Sequence, residues 1–210
     1  MSVETSDPTP KQTVFIVDDD PSVCEALCDL IQSAGLTTQQ YSSAEGFLDA
    51  WTPDMAGCLV LDVRLPGRSG MELQGELAEA GLPIPIIIMT AHGDIPMVRK
   101  AMKAGAVEFL TKPFQDEELL QAIEQAFAMD RARRTAKTLE DSILSRLAIL
   151  SPRERQVMEL VTAGMTNKEI ADSLDLRLVT VKLYRGQVME KMKAQSLADL
   201  VKMSERIKAP

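Results

Sequence analysis

Three carboxylates, a hydroxyl and an ammonium stand at comparable places in the first 128 residues, each just after a short apolar run. Clustered carboxylates repel one another unless a cation lies among them, and hard oxygen ligands suit Mg²⁺. A lysine and a hydroxyl beside such an ion are the groups that bind a phosphoryl group. These residue types therefore predict a magnesium-dependent phosphoryl site if the fold brings them together. They are Asp18, Asp19, Asp62, Thr90 and Lys112.

The apolar runs that precede these side chains have the composition of buried strands and alternate with segments of helical periodicity. Near-continuous apolar strands alternating with helices are typical of a parallel sheet covered on both faces. In such a sheet, ligands bind beyond the carboxyl ends of the strands. The pattern predicts an α/β domain whose polar strand ends meet in one pocket. The predicted strands are 13–17, about 37–41, 58–61, 84–89 and 107–110.

Taken singly, each of these signals has an ordinary structural explanation. An acidic run after a strand is usually a solvated turn or a helix cap, and Asp20 followed by Pro21 has the composition of a helix start. A single Lys-Pro pair is usually a turn. The occurrence of such groups at four of the five predicted strand ends favours a shared site.

Four motifs in this half resemble the receiver domain of two-component response regulators. They are VDDD at 17–20, LDVRLPGRSG at 61–70, MTAHGDIPM at 89–97 and AGAVEFLTKPF at 104–114. The resemblance is strongest to the FixJ branch of the FixJ/NarL family, which includes StyR-like and TodT-like regulators. It implies a flavodoxin-like, doubly wound five-stranded parallel sheet over residues 13–128, with Asp62 as the phosphoacceptor.

The same resemblance assigns roles to the other strand-end residues. It implies that Asp19 binds Mg²⁺ directly and Asp18 through water, with Asp62 and the backbone carbonyl of Arg64 completing the protein ligands.

Thr90 and Phe109 become a switch pair, and Lys112 becomes the phosphate partner, followed by a cis peptide bond to Pro113. Many family members have Tyr where Phe109 stands, so the ring here has a packing role and no hydroxyl.

Charge divides the chain into two parts. The net charge is −8 overall, but residues 1–128 hold 20 acidic and 7 basic side chains, whereas residues 148–210 hold 8 acidic and 11 basic ones. Such asymmetry indicates two functions joined in one chain.

The intervening residues 129–147 have apolar side chains at alternating spacings of three and four, which predicts a long linker helix. An exposed, frayed linker is the alternative, because alanines at such positions bury little area.

Capping signals recur in the last part of the chain. Ser151-Pro152-Arg153-Glu154 and Thr166-Asn167-Lys168-Glu169 are capping boxes, and they predict short helices over 152–163, 167–174, 178–192 and 196–206. The tight turn before 178–192 indicates a helix-turn-helix. A plain protein-binding helical bundle would fit the same pattern.

Residues 150–192 resemble the LuxR-type DNA-binding domain of the same family, which favours the DNA-binding interpretation. The resemblance makes 178–192 the recognition helix. Tyr184 stands where the family usually has His, and the mid-helix Gly186 either permits close approach to DNA or weakens binding. The implied contacts are Lys182, Leu183, Arg185 and Gly186 to bases or phosphates, and Thr180 and Lys168 to the DNA backbone.

The whole pattern predicts a phosphorylation-dependent regulator of transcription rather than an enzyme acting on other substrates. Its expected cofactor is Mg²⁺, and its expected partners are a sensor histidine kinase, promoter DNA, a second copy after phosphorylation and RNA polymerase. A haloacid-dehalogenase-type enzyme is disfavoured because Arg64 stands where such enzymes place a second Asp. A receiver that serves only as a structural dimerisation module would not need the strand-end set.

Other features bear on the expected location of the protein. Residues 1–12 are polar and predict a flexible N-terminal segment without the apolar stretch of a signal peptide. Apolar runs are too short for a membrane helix. Three cysteines are too few for a disulfide framework, so we expect a cytoplasmic protein without membrane contact.

Overall fold

The computed structural model describes residues 11–208. The N-terminal segment predicted to be flexible, 1–12, lies outside the described residues except for its last two positions. The chain divides into two compact units, the first ending at Arg133 and the second beginning at Arg134. No helix in the described part of the chain is long and apolar enough to span a membrane.

The first unit contains one parallel sheet with strand order β2-β1-β3-β4-β5, which confirms the predicted doubly wound α/β fold. Each strand except the last is followed by a helix that returns the chain to the start of the next strand. The elements are β1 (Thr13–Val17), α1 (Pro21–Ser33), β2 (Thr37–Tyr41), α2 (Ala44–Ala50), β3 (Gly57–Asp62), α3 (Gly70–Glu79), β4 (Ile86–Thr90), α4 (Ile95–Lys103), β5 (Glu108–Thr111) and α5 (Asp116–Ala148).

Three strands, β3, β4 and β5, end one residue later than the apolar pattern predicts. Asp62 pairs with Met89 across β3 and β4, and Thr90 pairs with Thr111 across β4 and β5. Backbone pairing between the strands therefore extends to Asp62 and Thr90, although their side chains are polar. Asp62 and Thr90 are therefore fixed by strand geometry rather than by a mobile loop.

The helices cover both faces of the sheet, each with its own apolar cluster. On one face, α1 and α5 pack against the sheet through residues such as Ile31 and Leu119. On the other, α2, α3 and α4 contribute Phe47, Leu73 and Ala101. This double covering explains why β1, β3 and β4 are apolar on both sides.

Helix α5 is continuous for 33 residues and runs through the predicted linker, so the prediction of a long helix is confirmed and the frayed alternative is wrong. Asp130 on this helix is 1% exposed. Its carboxylate accepts a hydrogen bond of 2.9 Å from the backbone N–H of Gly57, the first residue of β3. It also forms an ion pair with Arg133, with an N–O distance of 2.5 Å. These contacts tie the helix to the sheet within the first unit.

The second unit is all-helical and has a core of its own. Val157, Ile170 and Val181 are fully buried in it, and Ile143 from the end of α5 joins them. Both predicted capping boxes are present, and the turn before α8 passes through Asp175 at a φ of 53°. The predicted helix-turn-helix is thereby confirmed. Its helices after α5 are α6 (Pro152–Thr162), α7 (Asn167–Leu174), α8 (Leu178–Met192) and α9 (Leu197–Lys208).

Candidate functional site

The carboxyl ends of β1 and β3 place two acidic side chains next to each other. The two strands are neighbours in the sheet, with Val17 paired to Leu61. Asp18 follows β1 and Asp62 ends β3, and both are buried, at 3% and 6% exposure. Buried carboxylates on neighbouring strands call for a positive charge nearby, because buried charges in proteins are paired.

Lys112, which follows β5, provides that charge. Its Nζ atom lies 2.7 Å from Oδ2 of Asp18 and 2.7 Å from Oδ1 of Asp62. Burial lowers the pKa of Lys112, but the hydrogen bonds and charges of the two aspartates outweigh burial and raise it above the ordinary value. The lysine is therefore held as an ammonium between the two carboxylates. The following peptide bond, Lys112–Pro113, is cis, as the family resemblance implies.

The backbone around Asp62 is tightly packed. The second carboxylate oxygen of Asp62 accepts a 2.5 Å hydrogen bond from the N–H of Arg64. A Cβ at Gly70 would lie 2.1 Å from the carbonyl oxygen of Asp62, so only glycine fits at the start of α3. Sequence reasoning assigned no role to Gly70, although its position within the LDVRLPGRSG motif was a signal. Gly70 allows α3 to begin directly against the acidic site.

Thr90 and Phe109 both lie against the loop between β4 and α4. The Thr90 hydroxyl accepts a hydrogen bond of 3.2 Å from the N–H of His92 and donates one of 3.3 Å to its carbonyl. The ring of Phe109 is half-buried, and a Cβ at Gly93 would lie only 2.8 Å from its Cε1 atom. The Thr90 hydroxyl is thus hydrogen-bonded to the backbone of the loop that follows it. The Phe109 ring packs against the same loop at Gly93, which has no side chain.

The donor chemistry of this pocket fits Mg²⁺. Asp18 and Asp62 supply hard carboxylate oxygens, and the Lys112 ammonium lies between them as a cation. The exposed Asp19 follows Asp18 in sequence. Within residues 11–208, no three His, Cys, Asp or Glu side chains already converge in the arrangement of a metal site. Asp19, the predicted direct ligand, is exposed, whereas Asp18 and Asp62 are buried and bridged by Lys112.

A second candidate surface lies on α8. One side of this helix faces the core, where Val181, Val188 and Met192 are at most 2% exposed. The opposite side, which we term the outer face of α8, is open to solvent. It consists of Val179, Lys182, Leu183 and Gly186.

The other predicted DNA contacts differ in exposure. Lys168 is exposed near the start of α7, whereas Thr180 and Arg185 are half-buried. Nη1 of Arg185 donates a 2.6 Å hydrogen bond to Oδ1 of Asn167, which links α8 to α7. Asn167 was not predicted, and nothing in its local sequence pointed to this contact. Val179 was also not among the predicted contacts, although it lies four residues before Leu183, and this helical spacing places the two residues on the same side of α8.

The C-terminal end of α8 is anchored by two charged contacts within the second unit. Nζ of Lys191 lies 2.7 Å from Oε2 of Glu154, and Nη1 of Arg146 donates a 3.1 Å hydrogen bond to the carbonyl of Met192. Hydrogen bonds from Lys191 and from the Ser151 backbone lower the pKa of Glu154. These contacts hold the outer face of α8 in a fixed orientation relative to α6 and to the end of α5.

Comparison with known proteins gives a family match in each of the two units. Residues 14–124 match the response regulator receiver domain, and residues 148–204 match the luxR family of bacterial regulatory proteins. The chain is 51% identical over 197 residues to nodulation protein W of Bradyrhizobium diazoefficiens, covering 94% of this chain and 87% of that protein. It is 46% identical over 195 residues to the response regulator TodT of Pseudomonas putida, covering 93% and 86%.

Solved structures give the same result. The response regulator StyR superposes with a TM-score of 0.85 at 47% identity, covering 94% of this chain and 100% of that one. Full-length FixJ from B. japonicum gives a TM-score of 0.57 at 42% identity, covering 95% and 98%. A receiver domain followed by a LuxR-type DNA-binding domain defines a transcriptional response regulator. The chain belongs to the FixJ-like response regulators of two-component systems.

Proposed function

We propose that this regulator accepts a phosphoryl group on Asp62 from a partner histidine kinase and then binds promoter DNA as a dimer. The observation that carries the proposal is the ammonium of Lys112, placed 2.7 Å from Oδ1 of Asp62 and 2.7 Å from Oδ2 of Asp18 at the carboxyl edge of the sheet. In this proposal residues 13–128 form the receiver, 129–147 the linker helix and 148–210 the DNA-binding domain.

The proposed chemical step is an in-line displacement at phosphorus. A carboxylate oxygen of Asp62 forms a bond to the phosphorus, the bond to the kinase histidine nitrogen breaks, and that nitrogen keeps the electron pair. When bound by Asp18, Asp19, Asp62 and the carbonyl of Arg64, Mg²⁺ would neutralise charge on the phosphoryl oxygens. Lys112 contributes a second positive charge, which stabilises the phosphorylated product. The chain thus promotes its own phosphorylation and the hydrolysis of the phosphoryl group from Asp62, and it acts on no other substrate.

The proposed switch begins with the Thr90 hydroxyl. In the structure described here this hydroxyl is bonded to the backbone of His92. A phosphoryl group on Asp62 offers a charged acceptor that competes for the hydroxyl, because hydrogen bonds to ionised groups are the stronger ones. Movement of the β4–α4 loop would then remove the packing partner of Phe109 at Gly93, so the ring would take a new position. The phosphate would thereby change the surface formed by α4, β5 and the first part of α5.

The proposed output is DNA binding through α8. Residues 148–210 carry 11 basic and 8 acidic side chains, a net charge of only +3, which favours weak binding by a single copy. A second copy held at fixed spacing raises affinity through effective concentration. Receiver dimerisation through the altered surface would therefore couple phosphorylation to promoter binding. Lys168, Thr180, Lys182, Leu183, Arg185 and Gly186 are the proposed DNA contacts, RNA polymerase is a proposed further partner, and the cytoplasm is the proposed location.

Sedimentation and DNA binding together test the proposal. Beryllofluoride with Mg²⁺ mimics the phosphorylated aspartate, and we expect it to convert monomer to dimer and to tighten binding to the selected promoter fragment in parallel. The Asp62→Asn variant is the control and should respond in neither measurement. Tighter DNA binding without a change in association would instead indicate release of a masked recognition helix, and the dimer mechanism would have to be abandoned.

A further inference from the structure

Val179 and Leu183 are the most exposed of the large aliphatic side chains of α8, and neither belongs to the core cluster of the second unit. Val179 is 77% exposed and Leu183 is 60% exposed. They lie four residues apart and therefore one above the other on the same side of the helix. Val181 and Val188 already supply the core-facing side at 0% and 2% exposure. The fold itself thus gives no reason for aliphatic residues at 179 and 183.

The charges around this pair indicate which kind of surface would cover it. Residues 177–186 contain Arg177, Lys182 and Arg185 and no acidic side chain. Such a stretch complements a polyanion and would repel a basic protein surface. The outer face of α8 combines two apolar contacts with a cation between them. DNA matches both features. Its phosphates and base acceptors can bind the lysine, and it presents an apolar group to the aliphatic side chains.

That apolar group is the C5 methyl of thymine. Among the groups that base pairs expose in the major groove, it is the apolar one, whereas the other positions are hydrogen-bond donors or acceptors. Four residues of helix rise about 6 Å, and successive base pairs are about 3.4 Å apart along the axis. A helix lying along the groove would therefore bring Val179 and Leu183 to bases about two steps apart.

We propose that Val179 and Leu183 are specificity-determining residues that contact thymine methyl groups on either side of the base or phosphate bound by Lys182. The inference rests on the proposed function of α8 as a recognition helix and adds the chemistry of the sequence that it prefers. Each half-site should contain two thymines about two base pairs apart in the strands that face the helix. Gly186 continues the same face, and a Cβ there would meet no protein atom within 4 Å, so the backbone is open to the groove.

Replacement of thymine by deoxyuridine removes the C5 methyl and leaves base pairing intact. Duplexes would be selected from a random library with the full-length protein treated with beryllofluoride, and single thymines in each half-site would then be replaced. We expect affinity to fall about fourfold for each contacted methyl, the effect of exposing roughly one buried methyl group. Because the protein is unchanged in this comparison, the result does not depend on the folding of a variant.

Variants then assign each methyl to a side chain. Val179→Ala should bind the thymine duplex about fourfold more weakly and should lose its response to deoxyuridine at one position only. Leu183→Ala should lose the response at the other position. Ile149→Ala is the matched control, because Ile149 is 63% exposed but lies outside α8, and it should bind and respond as the unaltered protein does.

The outcomes separate this inference from the proposed function. If selection enriches no duplex, α8 does not read DNA sequence, and the proposed function and the inference both fall. If a duplex is enriched but deoxyuridine changes its affinity less than twofold at every thymine, DNA recognition stands and methyl contact is overturned. Equal deoxyuridine responses in Val179→Ala, Leu183→Ala and the unaltered protein would also overturn it, because the methyl groups would then contact other residues.

Discussion

The Nζ atom of Lys112 lies 2.7 Å from Oδ1 of Asp62, although 50 residues separate them in the chain. The sheet makes this contact by placing β3, β4 and β5 side by side, so that residues at their carboxyl ends meet. The lysine is thereby already in place for the proposed phosphorylation of Asp62. That reaction would need little rearrangement of charge, which is the condition for efficient electrostatic stabilisation.

Asp62→Asn should abolish the mass gain from acetyl phosphate and Mg²⁺ while leaving the fold intact. The amide keeps the size of the side chain but removes the nucleophilic carboxylate opposite Lys112. Intact-mass spectrometry measures the modification, and circular dichroism checks the fold. Asp49→Asn is the matched control, because Asp49 is an exposed carboxylate on α2, and it should gain one phosphate normally. A normal mass gain in Asp62→Asn would show that another residue is the acceptor.

The ion pairs of Lys112 should make stability depend on alkaline pH. Its pKa is raised in the folded protein above the ordinary value of 10.5, because the aspartates outweigh the effect of burial. The stabilisation is therefore complete below the unfolded-state pKa and is lost as pH rises through the higher folded-state value. We expect the free energy of unfolding to fall more steeply above about pH 10.5 in the unaltered protein than in Lys112→Met.

Denaturant titrations from pH 8 to 11.5 would measure how the free energy of unfolding depends on pH in Lys112→Met and in the unaltered protein. The other lysines and the tyrosines titrate in the same range, but they contribute equally to both proteins. Lys103→Met removes an exposed lysine from α4 and should follow the unaltered protein. Identical pH dependence in Lys112→Met and the unaltered protein would mean that the lysine carries no such linkage.

Lys182→Ala should separate base recognition from phosphate contact. If Lys182 binds a base edge, affinity for the selected duplex should fall by about 1–3 kcal/mol and the preference at that position should relax. If it contacts phosphate alone, binding should weaken evenly across sequences and the salt slope should shrink by about one. Fluorescence anisotropy at several salt concentrations distinguishes the two. Lys202→Ala on α9 is the control, and unchanged affinity in Lys182→Ala would argue against placing α8 in the groove.

Gly186→Ala should stabilise the protein and weaken DNA binding together. A glycine in a helix costs about 1 kcal/mol relative to alanine, and a Cβ at position 186 meets no protein atom within 4 Å. The fold should therefore gain from the substitution, whereas in the proposed complex the added Cβ should hinder the approach of DNA. Thermal unfolding and duplex affinity are the two measurements.

Gly75→Ala provides the matched control for Gly186→Ala. Gly75 lies within α3, and a Cβ there also meets nothing within 4 Å. This variant should show a comparable rise in stability with unchanged DNA affinity. If Gly186→Ala binds DNA as tightly as the unaltered protein, close approach is not the reason for the glycine.

Much of the fold was predictable because its signals are local. The capping boxes at Ser151 and Thr166 fix helix starts through contacts three residues apart, and both are present in the structure. Strands β1, β3 and β4 were predictable because both of their faces are buried, which demands continuous apolar runs. The errors lie at strand ends, where Asp62 and Thr90 belong to the ladder in spite of their polarity. Pairing with a neighbouring strand decides that, and composition does not.

The sequence by itself determined the class of protein, since the four motifs of the first half and the stretch 150–192 together resemble one family, although each signal taken singly has an ordinary explanation. It could not determine which sides of α8 are covered, because apolar residues occur all around this helix. Only packing against α6 and α7 buries Val181 and Val188, leaves Val179 and Leu183 in solvent, and joins Arg185 to Asn167. Likewise, the bonding of Thr90 to His92 rather than to Asp62 depends on the path of a loop. Tertiary structure decided these points because each depends on contacts between segments distant in sequence or on a loop conformation that no local pattern specifies.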